Sequence, residues 1–86
     1  MIREIIVGRL ATDVEYRDGK AYFGVVQSIK GEDKVRPIVS TGKQAESISQ
    51  YLCKGDLCCV EGHLTAKGTD VSVVADRVTF INSHKG

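Results

Sequence analysis

Eighty-six residues, 42% of them hydrophobic and 27% charged, suffice for one folded core and are too few for two, so a single domain over residues 1–86 is expected. Twelve basic residues against eleven acidic ones leave a net charge of +1, which excludes a protein that holds nucleic acid by bulk positive charge. The balance is slightly uneven, with eight basic and six acidic residues up to Lys43 and four against five after it.

The elements follow in chain order. Ile2 to Leu10 is rich in β-branched residues and reads as a strand. Asp18-Gly19 is a turn dipeptide, and Ala21 to Ile29 reads as a second strand with Phe23 and Val25 on one face. Gly31-Glu32-Asp33 marks the next turn. Val35 to Thr41 is a third strand, in which Pro37 lacks an N–H and therefore belongs at an edge or a bulge. The period then changes. Between Lys43 and Cys53 the apolar residues Ala45, Ile48, Tyr51 and Leu52 recur at helical spacing, and Gly55 follows where a glycine cap is expected. Leu57 to Leu64 is a fourth strand, Lys67-Gly68 to Asp70 a turn, and Val71 to Ile81 a fifth strand.

Three strands, one helix and two strands is the order of the OB-fold, an all-β, five-stranded Greek-key barrel with an α-helix between strands 3 and 4. Gly8, Gly24 and Gly62 fall inside strands, where such a barrel needs a bend, a bulge or a close approach. Phe23, Tyr51 and Phe80 fall on apolar-periodic positions and are expected in the core.

Enzyme chemistry finds little support, and neither a cofactor nor a metal is expected. His63 and His84 have no patterned carboxylate partner, and Ser47 and Ser49 lie in the helix without a Gly-x-Ser-x-Gly elbow. Cys53, Cys58 and Cys59 are an odd set without a Cys-x-x-Cys pair, so they read as small apolar residues in a reducing compartment. No apolar run approaches the roughly 18 residues of a membrane span, and Met1 opens directly into a strand. A cytoplasmic protein is expected.

Four blocks, in order, carry a family resemblance. Val7-Gly8-Arg9-Leu10 with Asp13, Glu15 and Arg17 comes first, then Gly42-Lys43-Gln44-Ala45-Glu46. Tyr51 to Leu57 with Val60-Glu61-Gly62-His63-Leu64 follows, and Val74 to Phe80 closes the series. Together they resemble the bacterial single-stranded DNA-binding proteins from about residue 2 to residue 82. The resemblance implies sequence-indifferent binding of single-stranded DNA in replication, recombination or repair, at the bacterial nucleoid. It also implies a homo-oligomer, dimer or tetramer, pairing through the first strand. Family members usually continue into a tail with an acidic tip that recruits replication proteins. This chain stops at Ser83-His84-Lys85-Gly86, so either a short tailless relative or a longer protein's domain fits.

Single-strand binding without sequence preference needs a cationic track for phosphates and flat side chains for bases. The chain has no tryptophan, and Val35 and Thr41 stand where the family usually carries stacking aromatics. Tyr22, alternating away from Phe23, is the best surviving stacking candidate, and Tyr16 a weaker one. Lys30, Lys34, Arg36 and Lys43 cluster on the second and third strands and the junction after them. Arg3 matches a basic position near the family's N-terminus, and Lys54 and Lys67 flank the fourth strand. Binding is therefore expected to be weaker and more salt-sensitive than in aromatic-rich relatives. The alternative is an interaction protein, resembling the tailless primosomal replication proteins or a degenerate subunit that assembles without binding DNA.

Overall fold

The structure, a computed structural model, describes residues 2–82. His84 and the rest of Ser83-His84-Lys85-Gly86 lie outside the described residues. Six strands and one helix follow one another: β1 (Arg3–Leu10), β2 (Glu15–Arg17), β3 (Lys20–Ile29), β4 (Glu32–Thr41), α1 (Gly42–Tyr51), β5 (Leu57–Lys67) and β6 (Asp70–Asn82).

They close into a five-stranded barrel, because β1 and β2 act as one bent strand. β1 pairs antiparallel with β5 from Arg3 to Arg9, then passes to β3 at Arg9↔Val26 and Leu10↔Val25. β2 resumes along β3 at Glu15↔Tyr22. From β3 the sheet continues to β4, then to β6 through a short parallel contact at Ile38↔Val73 and Val39↔Val74, and back to β5. With α1 between β4 and β5, this is the expected OB-fold. The three-residue β2 was not foreseen, since so short a strand shows no periodicity.

Alternation along the strands fills the interior. Ile6 and Leu10, Ala21, Phe23 and Val25, Ile38, Val60 and Val73 are buried there, and Ala45 and Ile48 of α1 with Leu52 after it join the same cluster. Phe80 packs half-buried against this core. Tyr51 does not: it is 42% exposed, because the helix ends there and Leu52 takes the core position.

At the bend of β1, a Cβ on Gly8 would collide with the carbonyl oxygen of Val26, so only a bare Cα lets the strand cross from β5 to β3. Gly55 serves a different purpose from the expected helix cap. With φ at 93° it sits inside a turn closed by the Asp56 N–H donating to the Cys53 carbonyl, as a type II turn requires. The β3–β4 hairpin turns one residue earlier than expected. Lys30 and Gly31 both have positive φ, and β4 begins at Glu32.

Pro37 lies at an edge, as its missing N–H demands. Its partner Gly24 turns both backbone groups toward the β1–β2 connection, accepting from the Ala11 N–H and donating to Thr12 Oγ1. The Pro37 nitrogen therefore faces away from β3, at the point where β4 has not yet met β6.

One side chain closes the seam between β4 and β6. The Gln44 amide donates to Ser40 Oγ (2.9 Å) and to the Ala75 carbonyl (3.2 Å), while its oxygen accepts from the Val78 N–H (2.9 Å).

Candidate nucleic-acid interface

The outward wall of β3 and β4 carries a groove of ≈ 480 Å³. Hairpin pairing sets its composition. Tyr22↔Val39, Gly24↔Pro37 and Val26↔Val35 face outward, between the pairs that fill the core. Val35, Pro37 and Val39 form an apolar floor, Tyr22 one flank, and Thr12, Asp13, Glu15 and Ser72 the rim. Gly24 leaves the floor open, since a Cβ there would meet the Val35 side chain.

Tyr22 is half-buried and does not stand alone. The Arg17 guanidinium lies over its ring, 4.7 Å from the centroid, and is also 3.3 Å from the Glu15 carboxylate. The geometry follows from the Asp18-Gly19 turn: Arg17↔Lys20 and Glu15↔Tyr22 are opposite pairs, so Arg17 and Tyr22 are diagonal neighbours on one face. The result is a cation held over an aromatic ring, its side chain 60% exposed at the mouth of an apolar groove. Neither Arg17 nor Lys20 is among the binding residues expected from the sequence. The two-residue turn was the signal that places both beside Tyr22.

Lys20 pairs with Thr41 on the same outward face, and Lys43 follows in the first turn of α1, exposed, where no acidic side chain balances the helix end. Lys54 is brought to the rim by its own backbone, whose N–H donates to Asp13 Oδ1 at 3.0 Å.

The remaining candidates lie elsewhere. Lys34 and Arg36 do share a side of β4, but it is the side that continues inward to Ile38 and Ser40, not the groove wall. Arg36 is committed: its guanidinium donates to Glu4 (2.6 Å) and to the Gln27 oxygen (2.8 Å), tying the β3–β4 arm to β1. Lys30 and Lys34 are exposed toward the tip of that arm. Lys67 ends β5 at the other hairpin, opposite Asp70. Arg3 stands on the β1–β5 wall beside His63, 3.8 Å from Asp76, which the His63 ring also meets at 3.1 Å. Tyr16 pairs with Ala21 and faces away from Tyr22.

Among the described residues no group of three metal-binding side chains comes together, and no helix is long and apolar enough to cross a membrane. Burial, then the neighbouring Cys59 and Asp56, push the Cys58 thiol up from 9.0 to about 11.

No family model matches the chain. A single-stranded DNA-binding protein of Clostridium tetani is 30% identical over 102 residues, spanning 94% of this chain and 70% of that protein. Two crystal forms of Rim1, a mitochondrial single-stranded DNA-binding protein of S. cerevisiae, share the fold. One superposes with a TM-score of 0.82 at 20% identity, covering 95% of this chain and 96% of that one. The other gives 0.81 at 21% identity, covering 98% and 97%.

Proposed function

The chain belongs to the single-stranded DNA-binding protein family, and from that premise we propose that it binds single-stranded DNA without sequence preference along the outward wall of β3 and β4. The Arg17–Tyr22 stack at the groove mouth carries this reading, because it joins a cation for phosphate to a flat surface for a base. Val35, Pro37 and Val39 offer a base apolar contact without stacking. Lys20, Lys43 and Lys54 extend a cationic track along the same wall, and Lys30 lengthens it at the tip of the arm, while Lys34 lies on the other side of β4. Replication, recombination or repair is the setting such an activity serves, in the cytoplasm at the nucleoid. The role is binding rather than catalysis.

We further propose that the chain works as a homo-oligomer through β1. Among the open strand edges of the described residues, those of β4 and β1 differ in kind. The edge of β4 before Ile38 is guarded by Pro37 and flanked by Asp33 and Lys34. The edge of β1 from Arg3 to Gly8 has no such guard, and its outward side chains Ile5 and Val7 are 66% and 54% exposed. Edge pairing with a second copy covers both the backbone and the apolar side chains.

A second reading follows from the rim, where Asp13 and Glu15 put carboxylates beside an apolar floor that also suits a protein segment. Anisotropy of a labelled oligo-dT separates the two. Saturable binding that weakens sharply with salt supports the DNA interface. No binding at low salt and micromolar protein rejects it in favour of a protein partner.

A further inference from the structure

Charge on the β3–β4 wall is sorted into rows, and the rows bear on which base the groove holds. We propose that Asp13 and Glu15 make the groove a subsite that favours cytosine over thymine. The inference rests on the single-strand reading above and deepens it, since a site open to every base can still rank them.

Strand register lays out the rows. Arg17, Lys20 and Thr41 stand across β2, β3 and β4 in one outward row, and Glu15, Tyr22 and Val39 form the next. Gly24 and Pro37 make a third, with Thr12 held beside them by the Gly24 N–H. Successive rows are two residues apart along each strand, about 7 Å. The cations of the first row therefore stand at one end of the groove, outside it. Among the described residues, the charged side chains that line the groove are Asp13 and Glu15, beside the apolar floor of Val35, Pro37 and Val39. A phosphate is drawn to the cationic row and repelled from the groove. What enters the groove is the attached base.

Each carboxylate keeps an acceptor for that base. Asp13 uses Oδ1 on the Lys54 N–H, and Glu15 uses Oε1 on the Arg17 Nε, which leaves Oδ2 and Oε2 at the rim. An ionised carboxylate only accepts hydrogen bonds, so the base must donate. Cytosine presents an amino group at C4, where thymine presents a carbonyl oxygen that sets acceptor against acceptor. The N3–H of thymine can donate, but it lies between two carbonyls. Thymine's methyl group gains contact with the floor, yet a buried methyl is worth less than a charge-assisted hydrogen bond. Stacking on Tyr22 serves both pyrimidines, so the difference between them falls on the rim.

Oligo-dC and oligo-dT of equal length, competing against labelled oligo-dT at neutral pH, test this order. We expect oligo-dC to displace the label at a concentration at least about 5-fold lower, the lower end for a well-made base contact. Oligo-dU, which lacks the methyl group of thymine, should also fall behind oligo-dC. Asp13→Asn combined with Glu15→Gln should close most of the gap by weakening oligo-dC more than oligo-dT, a selective change that a merely unstable protein would not give. Equal displacement by oligo-dC and oligo-dT overturns the preference and leaves single-strand binding intact. A preference that survives both substitutions overturns its assignment to these carboxylates. Failure of every oligomer to bind removes the DNA reading itself.

Discussion

At Tyr22 and Arg17 two requirements of single-strand binding meet on one pair of side chains. Removing the ring removes both a stacking surface and the support beneath the guanidinium. Tyr22→Ala should therefore weaken oligo-dT binding by about 1–3 kcal/mol, roughly 5- to 150-fold, with little change in the urea midpoint. Arg17→Ala should weaken binding and lower the slope of log K against log salt by about 0.7, the share of one single-strand phosphate. Unchanged affinity in both variants would take the stack out of the interface. Arg36 behaves differently, being held by Glu4 and Gln27 with its side chain 19% exposed. Arg36→Ala should cost about 1–2 kcal/mol in urea unfolding, as part-buried, charge-assisted bonds are lost, while the salt slope of DNA binding stays as it was. Cys58 ties stability to alkali. Its folded thiol pKa is raised to about 11 from 9.0, so the stability it contributes is complete below pH 9 and is lost as pH rises toward 11. Urea midpoints measured at pH 8 and pH 10.5 should fall less in Cys58→Val than in the parent, and an equal fall would refute the coupling.

Among the elements, the helix does more than plug the barrel, because its third residue closes the seam between β4 and β6. Gln44→Ala leaves the Ala75 carbonyl and the Val78 N–H without that side chain, and should destabilise the fold by about 1–3 kcal/mol in urea unfolding. A neutral result would mean water replaces the amide without cost. The strands and helix could be read from the chain because each shows its own period, and Gly8 because a barrel must bend somewhere. Gly55 was misplaced because helix caps and type II turns ask for the same positive φ. The β3–β4 turn was misplaced because Lys30, a residue with no strong preference for that conformation, occupies half of a two-residue turn. Lys34 and Arg36 were paired correctly by alternation. What alternation cannot say is which side of a strand faces inward, and that depends on Ile38 and Ser40 further along β4.

Taken as a molecule, the barrel has two outward walls, to which the proposed reading gives different work. The β3–β4 wall carries the groove, the Arg17–Tyr22 stack and Lys20, while β1 and β5 carry Ile5, Val7 and the open edge. Tyr22 was readable as an outward-facing aromatic because it alternates with a core phenylalanine. Its partnership with Arg17 was hidden until the hairpin register was known. On the proposed reading, a net charge of +1 leaves few phosphates to be neutralised beyond the local track, and without tryptophan the affinity leans on charge. The measurement that tests this division most directly is an amide chemical-shift titration of the labelled protein with oligo-dT. The account predicts shifts concentrated at Arg17, Lys20, Tyr22, Gly24 and Val35 to Lys43, with Ile5, Val7 and Cys59 undisturbed. Shifts confined to the β1–β5 wall, or none at saturating DNA, would contradict it.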